Sequence, residues 1–106
     1  MDYEVLEEIF RLDQGMKAAL ATVIATLGST PRKAGAQILF FPDGTSRGTI
    51  GGGCAEAEVR QQALEVIETG QPLLIKVNLT REVAEDSGMI CGGTMEVFIE
   101  PILQQD

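Results

Sequence analysis

The amino-acid sequence predicts an α+β fold: one small domain with a mixed β-sheet and two helices. The chain has 106 residues and 44% hydrophobic content, which suits a single buried core. Two segments carry apolar residues at helical spacing, and two others alternate between apolar and polar residues as half-exposed strands do. We therefore expect residues 1–106 to form a single domain, with an amino-terminal helix and a second helix after a Gly-Gly-Gly-Cys loop.

The first half of the chain predicts one helix followed by three strands. Residues 3–14 place apolar side chains on one stripe and charged ones opposite, which indicates an amphipathic helix. Residues 18–27 are almost wholly apolar, as in a strand covered on both faces. Residues 36–41 predict a second buried strand. The Pro-Asp-Gly-Thr turn at 42–45 then returns the chain through a third strand at 46–50.

The second half predicts a long helix and two alternating strands. Residues 54–69 have a buried stripe at helical spacing, and Gly70 suits the cap at its end. Residues 73–79 and 94–100 alternate between apolar and polar side chains, so one face of each strand meets solvent or a partner. The polar connection at 80–93 is longer than an ordinary loop, which favours a functional role.

The charge and composition of the chain exclude several classes of protein. A net charge of −8 with only eight Lys and Arg residues opposes an extended nucleic-acid surface, because binding phosphates requires clustered cations. No apolar run approaches the roughly 20 residues that cross a bilayer, and the acidic amino terminus is unlike a signal peptide. We expect a cytoplasmic protein with free thiols that binds neither nucleic acid nor membrane.

The first glycine-rich loop is a candidate anion site. Gly51, Gly52 and Gly53 leave their backbone N–H groups uncovered, and Cys54 follows at the expected start of a helix. A helix N-terminus attracts anions and favours the thiolate form of a cysteine. Glu56 carries a negative charge nearby and opposes thiolate formation, partly offsetting the helix dipole. Cys54 is alternatively a small residue that merely begins the helix.

The second glycine-rich loop contains the only other cysteine, Cys91, followed by Gly92 and Gly93. Cys91 has a packing alternative as well, because it stands just before an expected strand. Arg32, in the loop after the first strand, is either a cation of the same site or a solvated loop residue. We expect the two glycine–cysteine loops to converge at one end of the sheet.

Several familiar motifs do not fit these loops. A dinucleotide fingerprint that starts at Gly51 meets Glu56 where its third glycine belongs. The Gly-Lys-Ser/Thr signature of a phosphate-binding P-loop is absent from the sequence. Two cysteines without any histidine form neither an ordinary four-ligand zinc site nor a Cys-His nucleophile pair.

Three motifs together closely resemble the XdhC/CoxI family, whose members are accessory proteins for xanthine dehydrogenase, aerobic CO dehydrogenase and related molybdenum hydroxylases. The motifs are Ser-Thr-Pro-Arg with Gly-Ala at 29–36, Gly-Thr-Ile-Gly-Gly-Gly-Cys-Ala-Glu at 48–56, and Gly-Met-Ile-Cys-Gly-Gly at 88–93. They occur in the family's order, and the resemblance spans residues 5–101. Family members typically continue into a carboxy-terminal Rossmann-like domain, so we expect this chain to be a stand-alone amino-terminal module.

The resemblance implies a maturation factor that binds molybdenum cofactor (molybdopterin) transiently, assists its sulfuration and delivers it to an apo molybdenum hydroxylase. Cys54 is then the candidate catalytic residue and a candidate molybdenum ligand, because thiolate is a soft ligand. Arg32 and the backbone N–H groups of residues 51–53 would hold the phosphate or an oxo ligand, together with the second loop at 91–93. Such a factor needs no turnover of its own, so its status as an enzyme stays open.

The resemblance also sets expectations for partners. Besides the apo-hydroxylase we expect a cysteine desulfurase as the sulfur source. A homo-oligomer, or a complex with a separately encoded Rossmann-domain chain, would use the surface that the two half-exposed strands leave over.

Two other functions fit the same residues. One is a cysteine-dependent sulfur carrier, or one component of a nucleotide-dependent oxidoreductase that a separate Rossmann chain completes. The other is a structural interaction module that docks a partner without a ligand. The absorbance of bound molybdopterin separates cofactor handling from pure docking, and a persulfide on Cys54 indicates sulfur carriage.

Overall fold

The computed structural model describes residues 3–12, 15–28, 33–51, 53–79 and 93–103. Two helices and five strands lie in these ranges, and the α+β class is confirmed. In chain order they are α1 (Tyr3–Phe10), β1 (Lys17–Leu27), β2 (Gln37–Phe40), β3 (Ser46–Gly48), α2 (Gly53–Thr69), β4 (Leu73–Leu79) and β5 (Gly93–Leu103). Neither of these helices combines the length and the apolar content that crossing a bilayer requires.

The five strands form one sheet in the order β3-β2-β1-β5-β4. Each pair of neighbours in it is antiparallel, so the prediction of a mixed sheet is wrong. The longest pairing joins β1 to β5, from Lys17 opposite Leu103 to Leu27 opposite Thr94.

The course of α2 explains why these five strands include no parallel pair of neighbours. A strand–helix–strand sequence usually joins parallel neighbours. Here α2 joins β3 and β4, which are the two opposite edges of the sheet. A helix of 17 residues is roughly 25 Å long, enough to cross four strand intervals of about 4.8 Å. The strands β3 and β4 therefore run in the same direction without pairing.

Apolar side chains cover both faces of the sheet, in two clusters. The larger cluster lies between α2 and the sheet, and its fully buried members include Val23, Ile38, Phe40, Ile50, Val59, Val66, Met95, Val97 and Ile99. The smaller cluster lies on the opposite face under α1, and consists of Val5, Leu12, Ala18, Leu20 and Leu39. The alternation predicted for 94–100 is confirmed, since the odd-numbered residues of β5 from Gly93 to Ile99 are buried and the even-numbered ones half-buried.

Two local departures from the predicted pattern have clear causes. The helix predicted at 3–14 ends at Phe10, after which the Arg11 N–H bonds at 3.1 Å to the carbonyl oxygens of both Glu7 and Glu8 as the last turn tightens. Phe10, expected in the apolar stripe, is 77% exposed. In β1 the register shifts between Val23 and Ala25, and this bulge leaves Ile24 exposed.

The turn at 42–45 joins β2 to β3 as predicted, and Asp43 organises it. Asp43 Oδ1 accepts hydrogen bonds from the Thr45 hydroxyl at 2.6 Å and from the Thr45 N–H at 2.9 Å. These bonds favour the ionised form and hold the pKa of Asp43 below its ordinary value. Their stabilising effect is therefore present above that ordinary value and is lost as the pH falls through the lowered one.

Gly48, at the end of β3, lies too close to its neighbours for any side chain. A Cβ at this position would lie 2.5 Å from the backbone oxygen of Gln37 and 2.7 Å from Val5 Cγ2. Its φ of +95° also favours glycine. The first glycine of the motif at 48–56 is therefore explained by packing, because it lets β3 lie directly under α1.

We expect Gly48→Ala to reduce the free energy of unfolding by about 1–3 kcal/mol more than Gly44→Ala, as overpacking does. Gly44 is a matched control, because its φ of +88° carries a similar backbone penalty while no atom lies within 4 Å of the point that a Cβ would occupy. Urea denaturation of both variants measures the difference. Equal losses would mean that the contact between α1 and β3 opens without cost.

Candidate functional site

The three motifs are attached to the same end of the sheet. β1 and β3 run towards this end and finish at Leu27 and Gly48, whereas β5 starts from it at Gly93. The segments that follow β1 and β3, and the segment that precedes β5, therefore all leave the sheet in one direction. They contain Arg32, the glycine turn at 51–53 and Cys91.

These attachment points are staggered along the strands. Gly48 pairs with Ile38, which lies opposite Ala21 in β1, and Ala21 lies opposite Ile99 in β5. Gly93 precedes Ile99 by six residues in β5, so the two residues are roughly 20 Å apart at the usual rise per residue. Convergence of the two glycine–cysteine loops stays a prediction. It requires the loops themselves to span this distance.

The structure places some of the predicted site residues and not others. Arg32, Gly52, Cys91 and Gly92 lie outside the described residues. Gly51 is an exposed residue before α2, while Gly53 and Cys54 are the first two residues of that helix. Gly93 is buried as the first residue of β5, opposite Leu79.

Gly51 begins the glycine turn in a conformation that favours glycine. Its φ is +125°, which other residues rarely adopt. Its N–H donates a hydrogen bond to Thr49 Oγ1 at 3.1 Å. The sequence suggested that all three glycine N–H groups face an anion, but that of Gly51 already has this partner.

The anion-binding capacity of the turn lies instead at the start of α2. The first N–H groups of an α-helix, here from Gly53 to Ala55, have no carbonyl partner within the helix. They carry the positive end of the helix dipole, which favours a bound anion. The start of α2, at Gly53 and Cys54, is therefore the candidate anion site.

Glu56, in the first turn of α2, holds the chain that leads into the glycine turn. Its Oε2 accepts a hydrogen bond from the Thr49 hydroxyl and another, at 3.2 Å, from the Ile50 N–H. The side chain is half-buried, and Ile50 is fully buried in the larger core cluster. The residues before Gly51 are therefore fixed by core packing on one side and by a carboxylate on the other.

Sequence reasoning missed this role of Thr49 and Glu56. It assigned to Glu56 a favourable interaction with the helix dipole, a pair with Arg60 and an unfavourable charge near Cys54, and it gave Thr49 no separate part in the site. A signal was present, because a glutamate in the first turn of a helix often reaches back to an N–H group before the helix. The motif at 48–56 contains both partners.

The cations near the motif are arranged differently from one another. Arg47 Nε lies 3.7 Å from Glu8 Oε1 of α1, on the sheet face opposite α2. Arg47 therefore links β3 to α1 and does not belong to the turn at the start of α2. Lys33 is exposed in the segment before β2. Among the described residues, no group of three or more Cys, Asp and Glu side chains is placed to hold a metal ion.

The sequence of the chain is similar to those of several known proteins. The sequence model of the XdhC and CoxI family matches residues 11–78. The chain is 33% identical over 96 residues to a Bacillus subtilis protein that is named as a probable xanthine dehydrogenase subunit. It is 37% identical over 60 residues to the molybdenum cofactor insertion chaperone PaoD of Escherichia coli.

A solved structure has the same fold. The crystal structure of a xanthine dehydrogenase from Bacillus halodurans superposes with a TM-score of 0.77 at 35% sequence identity, covering 92% of this chain. The chain spans 29% of the length of that protein. It spans 29% of the Bacillus subtilis relative, and that match covers 89% of this chain. It spans 19% of PaoD, and that match covers 57% of this chain. The similarity is thus confined to a minor part of each relative.

We expect a short bifunctional maleimide to cross-link Cys54 to Cys91 within one chain, because the loops that carry them are attached at the same end of the sheet. These are the only cysteines, so the native chain needs no added reporters. Mass spectrometry of the digested product identifies the link, and Cys91→Ser is the control. If only the longest reagents react within one chain, the two cysteines belong to separate sites.

Proposed function

The chain is a member of the XdhC and CoxI family, and we propose that it is an accessory factor that binds molybdenum cofactor and delivers it to an apo molybdenum hydroxylase of the xanthine dehydrogenase type. The observation that carries the proposal is the exposed Gly51, held just before α2 by the bonds of Thr49 and Ile50 to Glu56. The sequence similarity of the chain to a molybdenum cofactor insertion chaperone supports molybdenum cofactor as the cargo.

The cargo suits this turn chemically. Molybdenum cofactor carries a phosphate, which the N–H groups at the start of α2 can bind. Cys54, the second residue of α2, supplies a thiolate, which is a soft ligand for molybdenum. Arg32 adds a charge-assisted hydrogen bond in the proposed complex, together with the loop of Cys91, Gly92 and Gly93. Release to the hydroxylase requires this binding to be transient.

Sulfuration is the finer part of the proposal. The start of α2 would hold the cofactor while a cysteine desulfurase donates persulfide sulfur; a thiol reductant would supply the two electrons that bring this sulfur to the sulfide level, and the oxo ligand would leave as water. Cys54 is the proposed residue for this exchange because it begins the helix beside the anion site.

We expect Cys54→Ser to weaken cofactor binding strongly while the fold stays intact. Serine is close in size to cysteine but stays neutral near pH 7 and is a poor ligand for soft metals, so the change tests the thiolate. Absorbance and fluorescence of molybdopterin retained by the purified protein measure binding. Cys91→Ser is the paired variant, and an equal loss would make the two thiols one site. Normal binding and normal client maturation by Cys54→Ser would contradict the assignment.

Substitution of Gly51 and Arg32 tests the anion part of the site. Gly51→Val forces a β-branched residue into a φ of +125°, so we expect it to disturb the turn and weaken cofactor binding strongly. Arg32→Ala removes one charge-assisted bond, and we expect a milder loss of about 1.5–3 kcal/mol in binding free energy. Binding titrations with molybdopterin measure both. Unchanged affinity in both variants would place the phosphate elsewhere.

Delivery requires contact with the apo-hydroxylase, and an apolar surface is available for it. Leu27 and Leu74 lie on the sheet face opposite α2 and are 74% and 61% exposed. We propose that this face contacts the client, and that the factor is a homo-oligomer, alone or with a separately encoded Rossmann-domain chain. A strict monomer by light scattering, with and without extract of its source, would contradict the oligomer.

We expect the double variant Leu27→Lys and Leu74→Lys to weaken association with the apo-hydroxylase, because charge replaces apolar contact area. Gln61→Lys combined with Glu68→Gln is the matched control, since it makes the same change of two charge units at exposed positions of α2, on the other face of the sheet. Sizing chromatography of the mixed proteins measures association, and cofactor binding should be unchanged in both variants. Association at the native level by the double variant would exclude this face.

A further inference from the structure

Glu56 connects α2 to Thr49 and Ile50, the two residues before the glycine turn. Its Oε2 accepts from the Thr49 hydroxyl and the Ile50 N–H, and Thr49 Oγ1 in turn accepts from the Gly51 N–H. Two hydrogen bonds thereby join the backbone before Gly53 to the first turn of the helix, and a third, from Gly51 to Thr49, continues the connection within the loop. A carboxylate acceptor makes such bonds stronger than neutral partners do.

Both ends of this connection are rigid. On the helix, Ala55 and Val59 are buried against the sheet on either side of Glu56 in sequence. On the loop, Ile50 is fully buried, and Gly48 is confined by Gln37 and Val5. The carboxylate therefore fixes the direction in which the chain approaches the start of α2.

We propose that Glu56 is a positioning residue, which fixes the backbone from Thr49 to Gly51 so that it leaves the N–H groups at the start of α2 open to an anionic cargo, without contacting that cargo itself. The inference rests on the proposed function and assigns to Glu56 a role separate from those of Cys54 and Arg32. A carboxylate repels a bound anion, so its place beside an anion site is costly unless its hydrogen bonds are required. Donors fixed before binding hold an anion better than donors that must first be ordered.

Glu56→Leu and Glu56→Gln separate the hydrogen bonds from the charge. Leucine keeps similar volume and removes both acceptors, whereas glutamine removes the charge and keeps an oxygen that accepts from Thr49 and Ile50. We expect Glu56→Leu to weaken molybdopterin binding about 10-fold or more, as loss of a hydrogen bond to a charged group does. We expect Glu56→Gln to bind as tightly as the native chain, or more tightly.

Thr49 tests the same connection from the loop side and leaves the helix unchanged. We expect Thr49→Val to weaken binding and Thr49→Ser, which keeps the hydroxyl, to restore it. Because the two side chains act through one contact, Thr49→Val combined with Glu56→Leu should lose less than the two single losses together. Glu58→Leu is the matched control, since Glu58 is an exposed glutamate on the same helix.

Hydrogen exchange separates positioning from general stability. We expect faster exchange of the Ile50 and Gly51 amides in Glu56→Leu, and native exchange in the buried strands β1 and β5. The proposal is overturned if Glu56→Leu and Thr49→Val both bind molybdopterin with native affinity, or if Glu56→Gln loses as much as Glu56→Leu. Failure of the native chain to bind molybdopterin is a different result, which rejects the proposed function and this inference with it.

Discussion

The antiparallel pairing of β1 with β5 is the constraint on which the rest of the structure depends. It joins Lys17 to Leu103, so most of the chain lies between two residues that must meet. The β2–β3 hairpin extends the sheet on one side of this pair and β4 on the other. Only on this platform can α2 cross from one edge strand to the other and bury the larger core cluster. Such non-local pairing is slow to form, because loop closure precedes the contacts that reward it.

The sequence predicted the individual elements well because each one is written in local patterns. The alternation in β4 and β5, the apolar run of β1 and the glycine after α2 located those elements to within one to three residues. The pairing of the strands was not available in this way. The order in which strands neighbour one another depends on contacts between distant segments, and α2 reaches an edge strand where a parallel neighbour was expected.

The candidate site divides along similar lines. The glycines that precede a helix predicted a turn with positive φ angles, and Gly51 has such an angle; anion binding by this turn stays a prediction. The acceptors that hold the turn were not recognisable, because Thr49 and Glu56 are ordinary residue types whose geometry decides their role. Arg47 directly precedes the motif at 48–56, yet the alternation of β3 places it beside α1, on the face opposite α2. Residues that are close to one motif in sequence can therefore lie on opposite faces of the sheet.

The register of the central pair also bears on protein engineering. Leu103 ends β5 opposite Lys17, close to the carboxy-terminal end of α2, where Lys17, Thr69 and Leu103 line one groove. A reporter protein or affinity tag joined directly after Leu103 is therefore attached near the end of α2, at the opposite end of that helix from the glycine turn. Attachment there leaves the surroundings of the glycine turn open, whereas an insertion into the segment between β3 and α2 would divide the turn itself.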